Sequence, residues 1–191
     1  MIGALSDFAD QAIAGPVEIS VFLILLLAGR RKDALAWAAV MVAAPTLILL
    51  LKLWCERCGV PHQRIFYSPS GHTMGGTLVY GGLLALLCRN GWVVLLGACV
   101  LATGFGVTRV LLQVHTVPEV IVGGLIGVIA VIVLHSLLGR RRSPLSPQTA
   151  FFSIAAALII GFALHGYRLG TEAWIEKISH ILGRYLSCQK A

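Results

Sequence analysis

Six apolar runs, each of helix length and separated by polar connections, constrain this chain more than any other feature. They span Pro16 to Gly29, Ala34 to Leu51, Thr73 to Cys88, Trp92 to Val107, Val120 to Leu138 and Ala150 to Leu164. A spanning helix uses roughly 20 predominantly apolar residues. Six of them with their loops consume most of a 191-residue chain and leave no room for a separate soluble domain. The first run is short, but Gln11 to Ala14 can extend it. An open sheet edge cannot satisfy its backbone in hydrocarbon, and none of the runs alternates as a barrel strand would. Composition agrees: 58% of residues are hydrophobic and 12% charged, outside the usual range of water-soluble domains. The fold expected is all-α, a polytopic six-transmembrane-helix bundle forming a single membrane domain over residues 1–191.

The formal charge of +7 is not a nucleic-acid signature, because the basic residues sit in short clusters between apolar runs and form no aromatic-interleaved stripe. They read as topology signals. Arg30, Arg31 and Lys32, then Arg89, then Arg140, Arg141 and Arg142 fall on one side if six spans alternate, and that side is expected to be cytoplasmic. The loops from Lys52 to His72 and from Thr108 to Glu119, with both termini, then face the periplasm or exterior of a bacterial inner membrane. Asp7 and Asp10 precede the first run with no basic residue, so the first helix is expected to be retained and not cleaved as a signal peptide. Residues 171–186 set Trp174, Ile178, Ile181 and Tyr185 opposite Glu172, Lys177 and Arg184, an amphipathic helix expected at the outer interface. The alternative, packing on a partner chain, leaves a homodimer open. Cys55 and Cys58 suit a local disulfide or two thiols better than zinc, since a lone CxxC lacks further ligands. No metal or cofactor is expected.

Nearly all the polar residues with chemical capacity lie in the two outward loops. Ser68-Pro69-Ser70-Gly71-His72-Thr73 stands where the third run begins, so free amides and the positive helix end face whatever binds there. An anion fits that place. Ser70 also fits an ordinary N-cap. In the other loop, Thr108 and Arg109 precede His115 and Glu119: an arginine fork suits a phosphoryl group, and a histidine followed four residues later by a carboxylate offers a nucleophile with an orienting partner. Thr116 to Glu119 also matches a capping box. Two independent caps would not need to supply together a nucleophile, an acid, an anion clamp and a carboxylate.

These residues resemble the three-block pattern of the type 2 phosphatidic acid phosphatase superfamily. The second block, Pro-Ser-Gly-His, stands complete at Pro69 to His72. The third, Ser-Arg-x5-His-x3-Asp, stands at Thr108, Arg109, His115 and Glu119 with spacing intact and two conservative replacements. The first, Lys-x6-Arg-Pro, begins at Lys52 but meets Gly59 and Val60 where Arg and Pro are expected; Arg57, or Arg64, is the substitute for the missing arginine. The resemblance, with its six helices, covers about residues 16 to 165.

The resemblance implies that His115 attacks phosphorus and carries it as a phosphohistidine, with Glu119 orienting the ring. His72 would protonate the leaving group, and Lys52, Ser70, Gly71, Arg109 and Arg57 (or Arg64) would hold the phosphate oxygens. The substrate implied is a lipid phosphate monoester or pyrophosphate, undecaprenyl pyrophosphate or a phosphatidate-like glycerolipid, with a lipid A phosphatase or phosphotransferase as alternative. From another class, a small anion transporter would need polar residues lining the middle of its helices, where the runs show little besides Gly, Thr and Cys. A non-catalytic membrane subunit is the reading that the altered first block raises. His62, His135, His165 and His180 are poor catalytic candidates: His135 lies sixteen residues beyond Glu119 on one helix, about 24 Å away at 1.5 Å per residue.

Overall fold

The computed structural model describes residues 2–58, 66–139, 143–170 and Ile178. Within them the chain is all-helical: α1 (Ile2–Asp7), α2 (Gln11–Leu27), α3 (Arg31–Cys58), α4 (Gly71–Leu87), α5 (Gly91–Leu111), α6 (Val117–Leu138) and α7 (Pro147–Ala163). Helices α2 to α7 follow the six apolar runs in order, whereas α1 has no counterpart among them. Segments Arg31–Cys55, Gly91–Leu111 and Val117–Leu138 are long and apolar enough to cross a membrane, and α2 and α7 are shorter apolar helices. The amphipathic helix expected at 171–186 lies outside the described residues.

Side chains fix most of the helix starts. Asp10, Ser70, Asn90 and Ser146 each accept the amide of a first-turn residue, so α2, α4, α5 and α7 begin where a capping residue precedes an apolar stretch. Helix α3 runs well past the expected end at Leu51, because one Lys does not interrupt a helix that Leu53 and Trp54 continue. Lys52 therefore stands inside α3 rather than in the loop. The buried stripe of α3 passes through Trp37, Met41, Ala44 and Ile48, and the next position four residues on is Lys52.

Helix α4 lies at the centre, packed against α6 and α5 and also touching α2 and α3. Small residues permit this. A methyl group on Gly76 would come within 2.7 Å of the Phe105 ring, and one on Gly127 within 2.8 Å of Thr77 Cβ. Such close approach suits helices in lipid, where packing contacts rather than water exclusion hold neighbours together. The outer faces are apolar too: Leu27, Leu50, Leu96, Val100, Ile129 and Phe162 are all exposed. A molecule that is apolar inside and out fits a bilayer and not water. One residue departs from the uncharged pattern read from the sequence: Glu18 lies within α2, half-buried.

Successive helices reverse direction, which gathers their ends into two sets. At one end meet the start of α2, the last turns of α3, the start of α4, the end of α5, the start of α6 and the segment after α7. Contacts of Asp10 with His72 and Leu169, of Ser70 with Glu119, and of Arg109 with Ser6 tie these together. At the other end Arg30 bonds Asp33 and the carbonyls of Ser143 and Pro144. His135 is there as well, its Nε2 3.5 Å from where a Gly91 side chain would begin.

Candidate active site

Glu119 joins the connection before α4 to the start of α6. Its Oε1 accepts the amides of Tyr67, at 2.6 Å, and Ser68, at 3.0 Å. Its Oε2 accepts the amide of Thr116 at 2.9 Å and lies 3.0 Å from His115 Nδ1. Its backbone carbonyl takes the Ser70 amide at 3.0 Å. The capping and orienting readings of this residue are therefore both realised, because a carboxylate has acceptor sites for four partners. The additional methylene relative to aspartate lets one oxygen reach back across the helix start to His115 while the other reaches the facing loop.

His115 is placed by the turn that ends α5. Gln113 sits in the left-handed region at φ 56°, its amide bonds the Val110 carbonyl, and the Val114 amide bonds that of Arg109. This is the Schellman arrangement, with a glutamine where glycine is usual. With Nδ1 turned to the Glu119 carboxylate, Nε2 is the nitrogen left to meet a substrate. Burial lowers the pKa of this imidazole below its ordinary 6.5; Lys52 and Arg109 act in the same direction, and the bond to Glu119 opposes without reversing the outcome. The ring is thus held neutral, with its lone pair available.

The cations stand close. Lys52 is buried, its Cε 3.6 Å and its Nζ 4.0 Å from the position of a Gly71 side chain, so the ammonium lies against the first turn of α4. Arg109 reaches Ser6 of α1 through Nη1 at 3.1 Å. Ser70 is fully buried; its Oγ accepts from the Thr73 amide at 3.3 Å and from Thr73 Oγ1 at 3.0 Å. Its role in the structure is the cap, and only its own hydroxyl proton remains to offer an anion. Thr108 turns its hydroxyl back to the Phe105 carbonyl. The side chains of Arg57 and Cys58 and all of His62, Arg64 and His180 lie outside the described residues, and with them the expected Cys55–Cys58 pairing.

His72, in the first turn of α4, has a partner that spacing did not reveal: its Nε2 lies 3.3 Å from Asp10 Oδ2. Asp10 is also the N-cap of α2, with Oδ1 accepting the amides of Ala12 and Leu169. Burial pushes its pKa up, but the His72 ring and those two amides outweigh burial and leave the carboxyl below its ordinary value. The available signal was an aspartate directly before an apolar helix, which marks a cap; its contact with a histidine 62 residues away has no local signature. Alongside, Asp7 pairs with Arg168 at 2.8 Å, and His165 packs on Phe8.

From this end an apolar groove of about 450 Å³ runs between α5 and α6, lined by Gly106, Val110, Leu111, Val117, Ile121 and Gly124 among others. Its upper residues directly adjoin Arg109 and Glu119. The arrangement as a whole can bind an anion, attack it with one imidazole and exchange a proton through another. A family model described as the PAP2 superfamily matches residues 52–143, which hold Lys52, the α4 start and the His115 loop. No curated protein and no solved structure matches the chain.

Proposed function

Since the chain belongs, through residues 52–143, to the PAP2 superfamily, a family of phosphatases, we propose that it is an integral membrane hydrolase that removes phosphate from a lipid phosphate monoester or pyrophosphate through a phosphohistidine. The observation that carries this is the partly buried His115, its pKa lowered, oriented by Glu119 and acted on by Lys52 and Arg109. The groove between α5 and α6 supports a lipid substrate, because it offers an alkyl tail a path from the bilayer to the site. Six antiparallel helices with apolar outer faces support a six-span bundle. Arg30, Arg31, Lys32 and Arg89 at the end away from the site support an outward-facing active site.

In the first half-reaction His115 Nε2 attacks phosphorus, forming an N–P bond as the bond to the leaving oxygen breaks, and His72 gives its proton to that oxygen. Glu119 stabilises the positive charge that grows on the ring, as the aspartate of a triad does. In the second half water attacks phosphorus, its proton passes to His72, the N–P bond breaks, and inorganic phosphate leaves with His115 neutral again. Lys52, Arg109, the Gly71 amide and the Ser70 hydroxyl face the charge on the phosphoryl oxygens throughout.

The test is phosphate release by the purified full chain in detergent. Short-chain phosphatidate and isoprenoid phosphates should be hydrolysed with chelator present, His115→Ala should abolish release, and rapid acid-free quenching should trap label on a histidine. Full activity in His115→Ala, or activity restored only by added metal, would remove the proposal. A panel with undecaprenyl pyrophosphate, phosphatidate and lipid A phosphate, run at equal surface fraction, identifies the lipid.

A further inference from the structure

Each of the two imidazoles at the site meets a carboxylate, and the two carboxylates come from different parts of the chain. Glu119 serves His115 from within the family-matched segment; Asp10 lies outside it, between α1 and α2. Asp10 is buried, and each of its oxygens has defined work: Oδ1 takes two amides, and Oδ2 is left for His72 Nε2 at 3.3 Å. An N-cap alone would need only Oδ1. The second oxygen is directed across to another helix by the bonds that fix the first.

A general acid must begin the reaction protonated and aimed at the leaving oxygen. Among the described residues, the other charged or titratable groups at this end are Lys52, Arg109, His165, Asp7, paired with Arg168, and the His115–Glu119 pair. Asp7 is engaged by Arg168 and Glu119 by four N–H donors, so Asp10 is the carboxylate in contact with the His72 ring. We propose that Asp10 is the positioning residue of the general acid: it accepts the proton of His72 Nε2, fixes the orientation of the ring, and leaves Nδ1 to deliver a proton to the leaving oxygen. The inference deepens the phosphatase reading and rests on it. The step is balanced: the Nδ1 proton goes to the leaving oxygen, Nδ1 is restored by a proton of the attacking water, and Asp10 stays ionised throughout.

Asp10→Asn separates this role from the cap, because the asparagine oxygen still accepts the Ala12 and Leu169 amides while the charge is lost. Two substrates are compared with the purified full chain in detergent. An alkyl phosphate has a poor leaving group that needs a proton, whereas p-nitrophenyl phosphate expels a stable phenolate that does not. General acid assistance is worth about 10²- to 10⁴-fold, so Asp10→Asn is expected to lower the first-turnover rate and kcat for the alkyl ester about 10- to 100-fold. The rate of the first turnover of p-nitrophenyl phosphate, which phosphorylates His115 before water is needed, should stay within about threefold. Asp10→Glu should recover part of the alkyl activity. Equal loss of the first-turnover rate on both substrates marks a structural cap and overturns the proposal, as does no loss on either. If the wild-type protein hydrolyses neither ester, the phosphatase reading falls and this one with it; if it hydrolyses both and only the selective loss is missing, this one falls alone.

Discussion

Replacing Glu119 by glutamine changes almost no volume and removes one acceptor group. The carboxylate accepts from Tyr67 and Ser68 on one oxygen and from Thr116 and His115 on the other. A glutamine amide has a single oxygen and an NH₂ that cannot accept. With the oxygen facing Tyr67 and Ser68, the NH₂ faces the Thr116 amide and His115 Nδ1. The imidazole must then move its proton to Nε2, the attacking atom, to leave Nδ1 as acceptor. With the amide flipped, the tautomer survives but the 66–70 connection loses both of its bonds. Hydrogen bonds to charged groups contribute roughly 1.5–3 kcal/mol each, so two lost bonds set a destabilisation of about 3–6 kcal/mol before relaxation. Loss of the correct tautomer in the comparable triad lowers kcat about 10⁴-fold. The first orientation keeps both bonds to the loop, so the expected result is a folded variant with kcat reduced about 10³- to 10⁴-fold on a short-chain lipid phosphate and a lowered melting temperature. A variant within tenfold of wild-type kcat and with unchanged melting would refute the argument that this carboxylate both fastens the loops and sets the ring.

The helix packing makes a second prediction: Gly123→Ala places a methyl group into the Ser70 carbonyl, with Ser70 C and N also 3.2 Å away, so α6 must move from the α4 start. Overpacking of this kind costs about 1–3 kcal/mol, read as a lower melting temperature with a fall in kcat, whereas the same change at Gly104, which has nothing within 4 Å, should be silent. The His115 pKa is lowered, so the acid limb of the pH profile should lie below the usual histidine value of 6.5, and Lys52→Met, which removes a cation acting in the same direction, should shift that limb upward. The same lowered pKa makes the unfolded chain the stronger proton binder, so the stability it contributes is complete above 6.5 and is lost as pH falls toward the folded value, a trend that denaturant titration at stepped pH would detect. Filling the groove by Ile121→Trp should raise KM for long-chain lipid phosphates several-fold and leave p-nitrophenyl phosphate hydrolysis unchanged, and equal effects on both would dissociate the groove from the tail.

Helix order and the two loops of the candidate site were legible because each depends on short-range pattern. Apolar runs mark the helices, and Pro69, Ser70, Gly71 and His72 in sequence mark a capped helix start that suits an anion. The less legible features turn on where a helix stops. Lys52 reads as the end of a run by hydropathy, yet a helix ends when its backbone loses partners and not when one polar side chain appears. Carrying the buried stripe of Trp37, Met41, Ala44 and Ile48 one turn further would have aimed Lys52 inward. Helix α1 is too short to show a period, and it is fastened by contacts of Ser6, Asp7 and Phe8 with distant segments. Gln113 occupies a glycine position without a glycine, so the turn that aims His115 carries no compositional mark.

The two carboxylates show why one half of a site can be read from a motif while the other cannot. His115 and Glu119 are four residues apart across a helix start, so any chain that forms the cap brings them together, and the spacing itself encodes the contact. Asp10 and His72 meet only if α2 and α4 start at the same end of the bundle, a condition set by helix lengths and loop directions. It follows that changes in the N-terminal segment should act on proton transfer and changes in the α5–α6 connection on nucleophilic attack. Double substitution at Asp10 and His72 is then expected to be far less than additive, since both remove one acid. Asp10 with Glu119, whose partners are separate imidazoles, should combine close to additively in the logarithm of kcat.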